Sequence, residues 1–241
     1  MAKFNYKNTI KELIKDKNYC PFRREQLMEF MFTFLKKDFD QLNPNKILDA
    51  AGGYGRITWF LNEMAPQCEY TVFDYVEALV KEGREKFSSF NNVRFEVEDL
   101  CNPSSSYKNQ FDITISNKVI SWLDSYEEMV RGLFYYSKQK IYITSLFWDG
   151  DIDFYTTIHE KASSNSPKVS KLNTYSFPKF KLFCESLGAK SILKHRFNLD
   201  LTLSEPKTSD ILETYTKSTS TGNIEILGTI IQNYYVIEIS L

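Results

Sequence analysis

Apolar positions along the chain follow two spacings, one typical of helices and one typical of strands. Leu27, Phe30, Met31 and Phe34 recur at i, i+3, i+4 and i+7 and predict an amphipathic helix over residues 23–39. Short apolar runs predict strands near 47–48, 70–73, 93–97, 111–115 and 141–147, most of them followed by helical spacing. Because strand and helix alternate through about five cycles, we expect the α/β class, with a doubly wound, mostly parallel sheet covered by helices on both faces.

The second half of the chain carries clearer boundary signals than periodic ones. Ser125 stands three residues before Glu128, a spacing that predicts a capping box at the start of a helix. Pro178 suits a first helical turn and Gly188 suits a stop. Residues 189–202 and 223–240 are rich in strand formers, whereas 148–176 show no clear period and predict a long functional loop.

Composition narrows the class of protein. The net charge of −1 gives no electrostatic reason to expect binding to nucleic acid or to an anionic membrane. The four cysteines lie far apart, without a zinc spacing or a disulfide framework, so we expect no metal and a reducing, cytoplasmic location. The N-terminus has no signal-peptide pattern and no stretch is long enough to insert into a membrane.

Acidic and glycine residues follow the predicted strands, where ligands bind in such sheets. The first strand runs into Asp49-Ala-Ala-Gly-Gly-Tyr-Gly55, whose glycines allow a sharp turn and a close approach to a ligand. Asp74 ends the second strand and can accept both hydroxyls of a ribose. Asp99 follows the third strand and is placed to accept a hydrogen bond from an adenine amino group.

The loop after the first strand differs from a dinucleotide-binding loop. Thr58 stands where the third glycine of that motif belongs, and no lysine follows as in a phosphate-binding loop. Asp49 would repel a pyrophosphate but can serve the ammonium group of an amino acid. These features favour S-adenosylmethionine over a nicotinamide cofactor, which stays as a less favoured alternative.

The segment Ile47-Leu-Asp-Ala-Ala-Gly-Gly-Tyr-Gly55 resembles motif I of class I S-adenosylmethionine-dependent methyltransferases, D/E-x-G-x-G-x-G. Asp74 and Asp99-Leu100 match the second and third acidic positions of that family, so the resemblance covers about residues 46–147. Ala51 departs from it, since the family usually has glycine there. The resemblance implies a Rossmann-like sheet of seven strands whose last strand, supplied by residues 230–240, is antiparallel.

The resemblance also implies roles for the residues of the first loop. Asp49, Ala51, Gly53 and Gly55 would wrap the methionine and ribose of the cofactor. Arg56 would pair with the cofactor carboxylate, or would be a solvated arginine at the start of a helix.

Further cofactor contacts are implied at the later strand ends. Asp74 would bind the ribose hydroxyls, and Tyr75 would pack on adenine. Asp99 and Leu100 would hold the adenine edge, and Asn117 would close the floor near the sulfonium.

One domain, 1–241, would then comprise a helical lid (1–40), a cofactor core (46–147), a substrate loop (148–176) and a C-terminal helix with strands (177–241).

The methyl acceptor is expected to be a small molecule. Residues 147–155 and 173–190 are loosely similar to bacterial methyltransferases that modify capsular and other surface glycans. Residues 160–200 carry eight basic and three acidic side chains, a local balance of +5. That field would favour a phosphorylated or nucleotide-linked sugar, although a solvated helix face is the favoured explanation.

Candidate acceptor-side residues come from the segments after the fourth and fifth strands. His159 is the first candidate for a general base, and Tyr155 is a second catalytic candidate. The candidates for substrate binding are Lys118, Trp122, Trp148, Asp149 and Tyr175.

Two other functions stay open at this point. Gly55-Arg-Ile-Thr58 is also similar to peptide N-terminal methyltransferases, for which an acidic acceptor groove would be expected. A non-catalytic module that kept a nucleoside pocket would bind the cofactor without turnover. The sequence leaves the oligomeric state as monomer or homodimer.

Overall fold

A computed structural model describes residues 25–160, 168–205, 213–220 and 222–241. The helices of this part are α1 (Gln26–Leu42), α2 (Arg56–Met64), α3 (Glu77–Lys86), α4 (Glu127–Tyr136) and α5 (Phe177–Ser186). Short 3-10 turns cover Ser105–Tyr107 and Ile120–Trp122. The strands are β1 (Lys46–Ala50), β2 (Glu69–Asp74), β3 (Val93–Val97), β4 (Phe111–Asn117), β5 (Ser137–Trp148), β6 (Thr157–Glu160), β7 (Lys168–Lys171), β8 (Tyr175–Ser176), β9 (Ser191–Arg196), β10 (Thr214–Thr219), β11 (Gly222–Leu227), β12 (Ile230–Ile231) and β13 (Tyr234–Ser240).

The main sheet has the strand order β3-β2-β1-β4-β5-β13-β9, and β8 adds a short pairing at the end of β5. Strands β1 to β5 are parallel to one another, whereas β13 runs antiparallel to both β5 and β9. The predicted doubly wound sheet with an antiparallel last strand is therefore confirmed. The strand order reverses between β1 and β4, which places the ligand-binding crevice at their carboxyl ends.

Helices cover both faces of this sheet, as predicted. Leu133 of α4 and Phe180 of α5 lie in the apolar cluster on one face. On the other face, α1 buries Leu27, Met31 and Leu35 against β1, α2 and β13. The described part of the expected N-terminal lid thus forms a layer of the core, and residues 1–24 lie outside the described residues.

Two local predictions were wrong. The capping box does not form: α4 has Tyr126 at its N-cap without a side-chain cap, because the Ser125 hydroxyl instead contacts the Glu127 carboxylate. Residues 148–176 are not free of regular structure, since they contain β6, β7 and β8. Strands β6 and β7 pair as a hairpin, with His159 opposite Val169. Each strand has only four residues, which is too short for the alternation of apolar and polar side chains to reveal it in the sequence.

Strands β10 to β12, which lie between β9 and β13 along the chain, form a separate three-stranded antiparallel sheet. Leu227 and Ile230 of this sheet pack on the same apolar cluster as α1. No helix in the described part of the chain is long and apolar enough to cross a membrane.

Gly132 allows α4 to pack against the segment that follows β3. A Cβ atom at this position would lie 1.9 Å from the Leu100 carbonyl oxygen. Alanine normally stabilises a helix interior relative to glycine, by up to about 1 kcal/mol. We expect Gly132→Ala to have the opposite sign here and to lower the free energy of unfolding by about 1–3 kcal/mol, as overpacking does.

Urea unfolding measures this change, and Glu128→Ala at an exposed position of α4 is the matched control. A Gly132→Ala chain as stable as wild type would contradict the close approach.

Candidate functional site

The loop after β1 turns through left-handed backbone conformations. Ala51, Gly53 and Gly55 have φ angles of 58°, 61° and 86°. Such angles suit glycine and cost other residues about 1–2 kcal/mol. Ala51 therefore occupies a conformation that glycine would adopt without strain, which is the physical meaning of its departure from motif I. A Cβ at Gly55 would lie 2.7 Å from the Phe95 ring, so this glycine also permits close packing.

The Asp74 carboxylate ties the loop after β1 to the loop after β2. Oδ2 accepts a hydrogen bond from the Gly53 N–H (2.9 Å), and Oδ1 accepts one from the Val76 N–H (2.8 Å). Burial raises the pKa of Asp74, while these two backbone bonds oppose that effect. Each carboxylate oxygen can accept more than one hydrogen bond, so Asp74 retains the capacity to bind two ribose hydroxyls.

Asp49 is only 1% exposed at the end of β1. Burial raises the pKa of its carboxyl group to about 6, although the Thr58 hydroxyl donates to Oδ2 at 2.8 Å and works in the opposite direction. Thr58, which stands in the place of a third glycine, therefore anchors the acid of the loop. A buried carboxylate with one hydroxyl partner fits an ammonium group and repels a phosphate.

The strand ends that were predicted to hold adenine have exposed apolar groups beside a polar edge. Tyr75 is 58% exposed after β2, and Val97 is 48% exposed at the end of β3. Asp99 is exposed and its Oδ1 accepts from the Cys101 N–H at 3.0 Å, while Leu100 is buried against α4. Val97 was not among the predicted residues, because an apolar residue in a strand is normally assigned to the core.

The loop after β4 is held by β5. The Asn117 Oδ1 accepts from the Thr144 hydroxyl at 2.6 Å. Lys118 has a φ angle of 59°, and its N–H donates to the Thr144 carbonyl oxygen at 2.9 Å. These bonds fix the direction in which the Lys118 side chain leaves the loop.

Lys118 and Arg56 meet at a residue that the sequence did not single out. The Glu25 carboxylate contacts Arg56 Nη1 through Oε1 (2.7 Å) and Lys118 Nζ through Oε2 (3.0 Å). Burial would raise the pKa of Glu25, but the charges of Lys118 and Arg56 outweigh it and hold this pKa below its usual value. The structure thus brings a predicted cofactor residue and a predicted substrate residue onto one carboxylate.

Tyr234 and Glu225 complete this cluster. The Lys118 ammonium lies 4.9 Å from the centre of the Tyr234 ring. Burial would lower the pKa of Lys118, but Tyr234, Glu25 and Glu225 raise it. Tyr234 and Glu225 come from strands more than 100 residues away along the chain, so no local signal in the sequence could have connected them to Lys118.

The predicted substrate residues lie in different surroundings. Trp122 is half-buried and packs on the α1 face of the sheet, and Trp148 packs against Phe154 with ring centres 5.0 Å apart. Asp149 forms an ion pair with Lys194. Tyr175 is different, because it has no exposed surface.

The Tyr175 hydroxyl donates to the carbonyl oxygens of Ile120 (3.1 Å) and Leu123 (3.2 Å). Burial raises the pKa of this hydroxyl to about 12. Tyr175 thus positions the turn after β4 and offers no surface to a substrate in this structure.

The two catalytic candidates lie on the exposed side of the segment after β5. Tyr155 is 63% exposed. Ile158 packs towards the core, so His159, the next residue of β6, points to the opposite, exposed face. The structure does not bring these two side chains into the Glu25 cluster.

The basic balance of residues 160–200 is partly matched by acids from outside the segment. Its lysines form the ion pairs Lys171–Asp124, Lys179–Asp153, Lys181–Glu185 and Lys194–Asp149, and three of these acids lie outside 160–200. Part of the predicted positive field is therefore neutralised locally. Among the residues that the structure describes, no group of three or more His, Cys, Asp or Glu side chains could hold a metal ion.

The strand order of the main sheet, the glycine loop after β1 and the acids at the strand ends are together typical of the class I methyltransferase fold. A family model described as a methyltransferase domain matches residues 43–196, which is more than half of the chain. The chain belongs to this methyltransferase family, and the predicted family is confirmed.

Two kinds of known protein resemble parts of the sequence. A malonyl-[acyl-carrier protein] O-methyltransferase of Bacillus cereus is 24% identical over 111 residues, which are 46% of this chain and 40% of that protein. The polyketide synthase prhL of Penicillium brasilianum is 33% identical over 96 residues, 36% of this chain and 4% of that protein. The chain therefore spans well under half the length of these relatives.

Solved structures support the fold. Magnesium protoporphyrin IX methyltransferase from Synechocystis PCC 6803, with bound SAH, has a TM-score of 0.57 at 12% identity, covering 98% of this chain and 95% of that one. The N-terminal domain of EvdMO1 with SAH bound has a TM-score of 0.57 at 11% identity, covering 90% and 82%.

Asp49 gives a pH-dependent prediction. Its folded pKa, about 6, lies above the ordinary value of 3.8, so burial of this carboxyl has no cost below pH 4, lowers stability as pH rises from about 4 to 6, and has its full cost above that range. We expect Asp49→Asn, which keeps a partner for Thr58, to be more stable than wild type by about 2–3 kcal/mol at pH 7.5. The gain should disappear near pH 4.

Urea unfolding at pH 4, 5, 6 and 7.5 measures the difference between the two chains. A stability difference that does not change with pH would contradict the assignment to the Asp49 carboxyl.

Proposed function

We propose that this chain binds S-adenosylmethionine at the carboxyl ends of β1, β2 and β4 and transfers its methyl group to a small molecule. The observation that carries the proposal is the Gly53–Asp74 hydrogen bond, which joins a glycine turn to a strand-end acid at the reversal of strand order. A Cβ added at Gly53 would meet only Leu79, at 3.8 Å, so the turn is open on that side. These features fit a nucleoside with an amino-acid tail.

The donors and acceptors of the site match the parts of this cofactor in order. The Asp49 carboxylate suits the ammonium, and Arg56 suits the carboxylate. Asp74 would accept from the ribose hydroxyls, and Tyr75 with Val97 would flank adenine. The Asp99 carboxylate and the Leu100 backbone would serve the adenine edge, and Asn117 would lie below the sulfonium.

Methyl transfer places three demands on the chain. The acceptor atom, the methyl carbon and the sulfur must be aligned, and such positioning can supply roughly 7–11 kcal/mol of the barrier. Water must be kept out of the reacting pocket, to which Trp122 and the β6–β7 hairpin would contribute. An amine must be bound neutral, whereas a hydroxyl gains from a base that removes its proton.

The acceptor side is proposed to lie between Lys118, the β6–β7 hairpin and the segment around Trp148 and Asp149. Asn173 connects the hairpin to the site, because its N–H donates to the Ser121 carbonyl oxygen at 2.7 Å. For a hydroxyl acceptor, such as that of a sugar or a phosphate-bearing precursor, we propose His159 as the base. A carboxylate acceptor, suggested by the malonyl-[acyl-carrier protein] O-methyltransferase relative, would need no base.

Cofactor binding is tested by calorimetric titration of the chain with S-adenosylhomocysteine and, in parallel, with NADH. We expect binding of the former only. Asp74→Ala removes two charge-assisted hydrogen bonds to ribose, so the Kd should rise roughly 10- to 100-fold.

Asp151→Ala, at an exposed position, is the matched control and should bind as wild type does. Absence of S-adenosylhomocysteine binding by the folded wild-type chain would refute the proposed function.

Acceptor chemistry is tested by product formation from S-adenosylmethionine with small carboxylates and acyl thioesters, sugar phosphates and a peptide amine. With a hydroxyl acceptor, we expect His159→Ala to lower kcat about 100-fold or more and to leave the affinity for S-adenosylhomocysteine unchanged. Thr157→Ala, two residues away on the same exposed face of β6, is the control. Unchanged turnover in His159→Ala would exclude this base.

A further inference from the structure

Two cations from separate strand ends converge on the Glu25 carboxylate. Arg56 is the first residue of α2, and Lys118 directly follows β4, so both stand at the reversal of strand order. We propose that Arg56 and Lys118 form a binding site for a ligand carboxylate, and that Glu25 is an internal competitor for this site. The inference deepens the proposed function, because it names the chemistry of one end of the ligand.

The contacts of Glu25 define what the site accepts. One planar carboxylate contacts both cations, since Oε1 lies 2.7 Å from Arg56 Nη1 and Oε2 lies 3.0 Å from Lys118 Nζ. The spacing of the two cationic groups therefore already matches the two oxygens of a carboxylate, which is the geometry that a ligand carboxylate would reproduce.

The charge around the cations favours a carboxylate over a phosphate. Glu225 of β11 acts electrostatically on Lys118 and on Glu25, and burial raises the pKa of Glu225 despite the opposing charge of Lys118. If a ligand replaced Glu25 at the cations, Glu225 would still oppose additional negative charge. A monoanionic carboxylate restores the present balance, whereas a phosphate dianion would exceed it.

Glu25 can leave its position without disturbing the fold. It stands directly before α1 in extended conformation (φ −106°, ψ 145°), and its side chain makes no cap hydrogen bond to the helix. Glu25 and Lys118 are each about one-third exposed, and an ion pair of this kind contributes little net stability. The Arg56 side chain is 15% exposed, so the incoming carboxylate has to replace its ion pair with Glu25. Rotation of one side chain would therefore open the site while α1 stays packed on the sheet.

Two sources could supply the carboxylate: the amino-acid end of the cofactor, or an acidic acceptor. The first arm of the test titrates S-adenosylhomocysteine and methylthioadenosine, which lacks the amino-acid end, into wild type and Glu25→Gln. We expect Glu25→Gln to bind S-adenosylhomocysteine about fivefold more tightly, the equivalent of ~1 kcal/mol, and methylthioadenosine unchanged. This result would assign the site to the cofactor.

The second arm titrates malonate, as a simple carboxylate, into the complex with methylthioadenosine and then with S-adenosylhomocysteine. About fivefold tighter malonate binding by Glu25→Gln in both complexes, with S-adenosylhomocysteine affinity unchanged, would assign the site to the acceptor. Glu185→Gln, which removes an acid paired with Lys181 on α5, is the matched control and should change neither arm.

The inference is overturned if Glu25→Gln leaves the affinities for S-adenosylhomocysteine and malonate unchanged. It is also overturned if this substitution weakens binding and lowers the melting temperature, because Glu25 would then only anchor α1. Should that chain fail to fold, Arg56→Gln supplies the test. Arg56→Gln should weaken about tenfold the binding of the ligand that supplies the carboxylate, either S-adenosylhomocysteine or malonate. Unchanged affinity for both ligands would overturn the inference. Loss of the proposed function is a separate outcome, seen as no S-adenosylhomocysteine binding by wild type.

Discussion

The Asp74 carboxylate is the interaction on which the geometry of the site depends. By accepting from the Gly53 and Val76 N–H groups, it joins the turns after two neighbouring parallel strands. The turn with left-handed residues at 51, 53 and 55 is also held by the Gly55–Gly52 and Gly52–Phe73 backbone hydrogen bonds, and the Asp74 carboxylate adds the side-chain acceptor that fixes the Gly53 N–H. The same carboxylate is proposed to meet the ribose, which means that one group both shapes the site and binds in it.

Charge is distributed so that each acid of the site has a different environment. Asp49 has a hydroxyl partner and a pKa raised by burial, whereas Glu25 has two cations that lower its pKa. Asp74 is held by backbone N–H groups. These differences agree with the proposed roles, in which Asp49 meets an ammonium, Asp74 meets hydroxyls and Glu25 exchanges with another carboxylate. In the positive segment 160–200, in contrast, three lysines pair with acids from outside the segment, which offsets part of its charge.

The sequence predicted the parts of the molecule that depend on short stretches of chain. The glycine turn and the strand-end acids follow from residues that are adjacent or one element apart, whereas the antiparallel final strand, which pairs with β5 and β9, was implied by the resemblance to a known family. Glu25 could not be found in this way, because its partner Lys118 is 93 residues distant and no local pattern links them. The predicted capping box was wrong because the Ser125 hydroxyl contacts the Glu127 carboxylate, whereas the sequence spacing pointed to Glu128.

This difference between local and distant contacts separates the two halves of the site. The cofactor half is built from consecutive turns of parallel strands, and its chemistry is therefore visible in a motif. The other half, the cluster around Lys118, gathers the start of α1, the loop after β4, Glu225 of the small sheet and Tyr234 of β13. Because these elements belong to different parts of the chain, each can change without altering the glycine turn. Any ligand group that meets Lys118 would thus be selected by the packing of α1 and the small sheet against the switch point, because Lys118 is the residue at which those elements meet.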